Sequence, residues 1–140
     1  MANALVSTGV VTWFAGMMKS QVAGLTGVWL VVVLGLIYFF SMYGFSMFTA
    51  HISALIAAFF AVVAGFPPLA SPMLMIAVMA YFSCLCGAMT NYSTGPVIIY
   101  YGLGYVTTGK WFKTGLVVAF FHLAIWLTVG LAWWKLLGWW

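Results

Sequence analysis

The chain has 140 residues with four Lys and no Arg, Asp or Glu; apolar types make up 67% and charged types 3%. A soluble domain carries about a quarter charged residues, so there is too little polar surface here to meet water and a membrane-embedded protein is predicted. The same arithmetic removes Asp/Glu acid–base pairs, carboxylate-held metals and a Ser-His-Asp set, and four scattered lysines make no nucleic-acid stripe.

Residues 1–26 read as an interfacial helix and a linker. Trp13, Phe14, Met17 and Met18 mix there with Ser7, Thr8, Thr12 and Lys19, a partly amphipathic pattern; the end of a truncated span is the other reading. The start lacks the basic residues of a secretory signal. Met1 leads straight into Ala2-Asn3-Ala4-Leu5, which resembles the middle of a helix, so the chain is expected to be part of something longer.

Residues 27–66 read as a re-entrant helical hairpin. An apolar helix over 28–47 nearly crosses a ~30 Å hydrocarbon core at ~1.5 Å per residue. Polar Ser46, Thr49, His51 and Ser53 then cluster, and the next apolar stretch, 52–64, gives only ~20 Å of helix. Such a polar tip must sit inside protein or a water-filled cavity. Gly65-Phe66-Pro67-Pro68 marks the return.

Residues 67–106 read as a transmembrane helix broken at 90–96. A full span is predicted over 69–89, with Pro72 in its first turn, where a missing N–H costs little. Thr90-Asn91-Tyr92-Ser93-Thr94-Gly95-Pro96 follows. Gly95-Pro96 is expected to end a helix, and 97–106 to form a half-helix. Residues 107–140 read as a loop with Lys110 and Lys113, a last span over 115–131, and an anchor of Trp133, Trp134, Lys135, Trp139 and Trp140. The loop with two lysines is the cytoplasmic candidate.

Two polar islands thus interrupt membrane helices. A broken helix exposes unpaired N–H groups at one new end and C=O groups at the other. The first can hold a carboxylate and the second, with Ser and Thr oxygens, Na⁺. Against this, Ser and Thr in membrane helices commonly satisfy their own backbone. His51 reads as a neutral histidine hydrogen-bonded to backbone in preference to a proton carrier or ligand. His122 reads as packed with one hydrogen bond, and Cys84 and Cys86 as two small buried side chains.

The run Asn91-Tyr92-Ser93-Thr94-Gly95-Pro96-Val97-Ile98-Ile99-Tyr100-Tyr101-Gly102-Leu103-Gly104-Tyr105-Val106 resembles the T-H-Y-x-T-G-P-x-P-x-Y-F-G-x-G-Y-V signature of the divalent anion:sodium symporter family. The branch is that of the bacterial citrate/succinate and 2-oxoglutarate/malate translocators. Thr49-Ala50-His51-Ile52-Ser53-Ala54, Gly65-Phe66-Pro67-Pro68-Leu69 and Lys110-Trp111-Phe112-Lys113-Thr114-Gly115 are similar as well, in the same order. The resemblance implies the C-terminal half of an inverted-repeat transporter that moves di- and tricarboxylates by an elevator motion, coupled to Na⁺ or to carboxylate exchange. It implies substrate binding by Ser46, Thr49, Asn91, Ser93, Thr94, Gly95 and Pro96, and cation binding by Thr49, Ala50, Ser93 and Thr94. The chain departs from the pattern at Met47 and Phe48, where a Ser and an Asn or small residue are usual, with Ser46 as a shifted hydroxyl. Asn91 stands for a His, Cys84 for an Asn and Ile98 for a Pro.

The expectation is therefore an all-α integral membrane protein, multi-pass in a bacterial inner membrane, with no catalytic residues and no cofactor beyond Na⁺. Its partners would be a carboxylate anion, the bilayer, and the missing N-terminal repeat or another copy, in a homodimer when intact; nucleic acid is excluded. The rival is a structural subunit or inactive fragment of a membrane complex, its islands filled by neighbouring side chains.

Overall fold

The computed structural model describes residues 8–9, 13, 16–18, 24–25, 27–64 and 71–140. Among these the regular structure is helical. The elements are α1 (Val28–Ser41), a 3₁₀ turn (Met42–Gly44), α2 (Phe48–Ala64), α3 (Pro72–Cys86), α4 (Gly95–Gly102), α5 (Thr108–Ile125), a π segment (Trp126–Gly130) and α6 (Leu131–Leu136). The interfacial helix and linker expected over 1–26, and the Gly65-Phe66-Pro67-Pro68 return, fall largely or wholly outside the described residues.

The core forms where α1 crosses α3. Leu30, Leu34, Tyr38 and Phe39 face Leu74, Met75, Val78, Met79 and Phe82, all buried, at the three- and four-residue spacing that puts side chains on one helix face. Gly35 sits at the crossing: a Cβ there would lie 2.6 Å from Val78 Cγ1, so only glycine lets the two helices approach this closely. Phe39 meets Phe82 edge-on at 5.5 Å. The Tyr38 hydroxyl and Ser83 Oγ share a buried 2.7 Å hydrogen bond, which removes the cost of placing two hydroxyls in an apolar interior. α2 closes the hairpin against both, with Phe59 edge-on to Tyr38 at 5.5 Å.

Several boundaries differ from those predicted. α1 stops at Ser41, and α2 starts at Phe48 rather than Ile52, so Thr49, His51 and Ser53 lie on a helix and not in the turn. α3 ends at Cys86, and its 15 residues span about 22 Å, short of the full crossing expected over 69–89. Ser71 caps it by accepting the Leu74 N–H at 3.4 Å, with Pro72 in the first turn. Pro96 begins the second helix instead of ending the first, with Thr94 as N-cap. Its missing N–H costs nothing in a first turn. The break is thus 87–94. Cys84 is exposed and only Cys86 buried, since residues two apart on a helix point about 200° apart.

The loop expected over 107–114 is helical from Thr108. α5, the π segment and α6 run on as Thr108–Leu136, 29 residues, the one helix among the described residues long and apolar enough to cross a membrane. Most of its surface is uncovered, Phe121 (69%) and Val129 (65%) included, an apolar exposure that suits lipid rather than water. In the π segment the Leu131 N–H reaches the Trp126 carbonyl five residues back. Thr128 Oγ1 donates to the Ala124 carbonyl at 2.6 Å, and this side-chain competition for helix carbonyls loosens the turn. Gly130 lets the Trp126 ring lie across it, as a Cβ would stand 2.8 Å from Trp126 Cε3. Within the expected Trp anchor, Trp134 turns inward and stacks between Trp126 and Trp139; Trp133 and Trp140 are exposed.

Candidate functional site: two helix N-termini that meet

The turn of the α1–α2 hairpin and the break between α3 and α4 come together. The Phe48 N–H, first of α2, donates to the Ser93 carbonyl at 2.8 Å. Ser93 lies two residues before Gly95, the first of α4. The Tyr92 hydroxyl donates to the Tyr43 carbonyl at 3.0 Å, a second tie between the same segments. Phe112 of α5 roofs the pair, stacked on Tyr43 at 5.9 Å and tilted against Tyr92 at 6.2 Å. Behind the break, α5 approaches backbone to backbone: a Cβ on Gly115 would stand 2.6 Å from the Met89 carbonyl oxygen.

The first N–H groups of a helix have no intrahelical partner. In α2 those of Thr49 and Ala50 follow the Phe48 N–H, and both residues are exposed. In α4 those of Gly95 and Val97 stand in the first turn, Pro96 having none. Thr94 takes the N-cap in extended conformation, yet its side chain makes no cap hydrogen bond, which leaves its hydroxyl free of that role. Two helix ends, each carrying about half a positive charge, are therefore tied together through the Phe48 N–H and the Ser93 carbonyl. No carboxylate in the chain opposes them.

The expected site residues divide by what they touch. Ser46, Thr49, Ala50, Gly95 and Pro96 are exposed, Asn91 and Thr94 half-buried. Ser93 is fully buried. Its hydroxyl donates to the carbonyls of Gly87 and Thr90, the latter at 2.9 Å, so it knits the break together and does not point outward. Thr90 is buried too, with no partner for its Oγ1. His51 is buried on α2. Its Nε2 lies 2.8 Å from Ser41 Oγ and 3.1 Å from the Tyr38 carbonyl. A carbonyl only accepts, so Nε2 carries the proton and the partnerless Nδ1 is bare. That is the neutral, backbone-bonded histidine expected from sequence. His122 also has a buried, partnerless Nδ1, where one hydrogen bond was expected.

Tyr43, Phe112 and Gly115 pack at the break but carry no signature of it in sequence, and Tyr92 stands there only as one member of the polar run 90–96. A glycine early in an apolar helix and a tyrosine inside a polar island were the available signals.

The whole chain, residues 1–140, matches the family model described as the sodium:sulfate symporter transmembrane region. The chain belongs to this family. Among its relatives, the Bacillus subtilis protein YflS, named for malate transport, is 40% identical over 142 residues, covering 100% of this chain and 29% of that protein. The chloroplastic dicarboxylate transporter 1 of Spinacia oleracea is 38% identical over 144 residues, covering 100% and 25%. The citrate/succinate antiporter of Escherichia coli K12 is 33% identical over 141 residues, covering 100% and 28%. The chain thus spans between a quarter and three-tenths of the length of these relatives. The family is one of membrane transporters and not of enzymes, in keeping with the all-helical described fold.

Proposed function

We propose that the chain forms the C-terminal part of a secondary active transporter for di- or tricarboxylates such as succinate, malate, 2-oxoglutarate or citrate. The observation that carries this reading is the Phe48 N–H to Ser93 carbonyl bond, which sets two helix N-termini side by side. Discontinuous helices in transporters aim such ends at anionic substrate groups near mid-membrane. A substrate carboxylate would accept from the N–H groups of Thr49, Ala50, Gly95 and Val97 and from the hydroxyls of Thr49 and Thr94, with Asn91 and Ser46 as further donors. Ser93 acts through the backbone it holds. Selectivity for a doubly charged anion comes from several neutral donors, as the chain has no Arg.

The coupling step is Na⁺ symport or exchange for a second carboxylate. Na⁺ would bind at Thr49, Ala50, Ser93 and Thr94 through the Thr49 and Thr94 hydroxyl oxygens, because the Ser93 and Thr94 carbonyls already accept the Phe48 and Ile98 N–H groups and those of Thr49 and Ala50 lie within α2. The α1–α2 hairpin is re-entrant, and the assembly is multi-pass in a bacterial inner membrane. The other inverted repeat, from the rest of the protein or from a second copy, completes the site in a homodimer that works by an elevator motion.

The test is uptake of radiolabelled succinate and citrate by the intact transporter carrying Thr49→Ala or Thr94→Ala. A hydrogen bond to a charged group contributes ~1.5–3 kcal/mol, so KM should rise about 10- to 100-fold, with Thr94→Ser restoring most of it. Uptake unchanged in both alanine variants overturns the site.

A further inference from the structure

A second candidate site lies at the far end of the long helix. A groove of about 500 Å³ runs between the start of α1 and the end of the π segment and α6, walled by Val28, Val32, Leu127 and Leu131, with Lys135 and Trp140 also lining it. Its size is that of a ligand cleft. Lys135 is the single charged side chain in the lining. Its ammonium lies 4.9 Å from the centre of the Trp140 ring, and the Trp140 Nε1–H donates to the Leu131 carbonyl at 3.3 Å, so ring and ammonium are both held against the groove wall.

We infer that this groove binds a phospholipid with an anionic headgroup, an acyl chain lying along the apolar wall and the phosphate on Lys135. Three observations select this occupant. The chain contains no Asp or Glu, so no acidic side chain of its own pairs with Lys135, which is exposed and open to an anionic headgroup. The lining is otherwise almost wholly apolar, which free phosphate or a soluble anion would leave unused. Trp29, 69% exposed, also lines the groove, and Trp140 stands at Lys135; tryptophan beside lysine is the pattern of the headgroup level. The site is independent of the proposed transport site, and its test needs no uptake.

The full chain is placed in vesicles containing phosphatidylglycerol or phosphatidylcholine with a photoreactive diazirine in one acyl chain. Labelled peptides are then mapped by mass spectrometry. One lysine near a membrane surface is worth about fivefold in binding of an anionic lipid. Label should therefore fall around Val32, Leu127 and Leu131, about fivefold more from phosphatidylglycerol than from phosphatidylcholine. Lys135→Gln should reduce the phosphatidylglycerol label to the phosphatidylcholine level, Lys135→Arg should keep the preference, and Ala132→Trp should lower label from both lipids by filling the groove. Equal labelling by the two lipids in the unmodified chain overturns the inference. So does a preference that survives Lys135→Gln, or no label in the groove because another stretch of protein occupies it.

Discussion

Gly115→Ala is the most direct probe of how α5 positions the break. The added Cβ would stand 2.6 Å from the Met89 carbonyl oxygen and 3.2 Å from that of Ala88. The first distance is about 0.8 Å short of ordinary contact, and the obstacle is backbone, which cannot rotate away. Overpacking of this kind costs ~1–3 kcal/mol. Alanine recovers up to ~1 kcal/mol of helix propensity, which leaves a net loss of up to about 2 kcal/mol and an apparent Tm lower by up to about 8 °C. Gly109→Ala is the matched control: it lies in the same helix, exposed, with nothing within 4 Å of its added Cβ, and should gain the propensity without the clash. The two variants should therefore move thermal stability in detergent in opposite directions. Equal shifts in the same direction would mean that α5 does not press on the break, and the bracing argument fails.

Tyr92→Phe removes one of the two ties between hairpin turn and break, at a cost of ~1 kcal/mol; under the proposed function it should raise KM for succinate uptake while leaving the amount of protein in the membrane unchanged. Ser83→Ala strands the buried Tyr38 hydroxyl and should destabilise by ~1–3 kcal/mol, whereas adding Tyr38→Phe should recover much of that loss, because two apolar partners leave nothing unsatisfied. Thermal melts of the two single variants and the double variant give the coupling directly, and strict additivity would refute it.

The helix-forming tracts of this fold were legible because they are apolar and long, and the two interruptions because polar residues cluster at 46–53 and 90–96. Their edges were not legible, for a physical reason visible at Phe48. Its N–H is satisfied by Ser93, 45 residues away, so the helix starts four residues earlier than local polarity suggests. Pro96 shows the same limit from the other side. Proline ends one helix or begins the next with equal local logic, and only the extended Thr94 before it decides. At the site, the exposure of Thr49 and the half-burial of Asn91 and Thr94 were within reach of sequence. The inward turn of Ser93 was not, since nothing in the order of residues tells which hydroxyl will serve its own backbone. Lys110 and Lys113 read as loop because they are charged. They are instead exposed on the first two helical turns of α5, which a membrane helix tolerates where it leaves the hydrocarbon.

The π segment has a consequence for sequence change near the C-terminus. One residue more than an α-helix needs is stored between Trp126 and Gly130, and each residue of an α-helix turns the chain about 100°. Deleting a single residue there would tighten the helix into a regular one and leave its flanks near their present positions, so Trp134 should keep Tyr81 and Trp126, whose rings it meets at 5.9 and 5.8 Å. The same deletion in the regular part of α5 would turn everything after it by about 100°, so the π segment is where this helix should best absorb the loss of a residue.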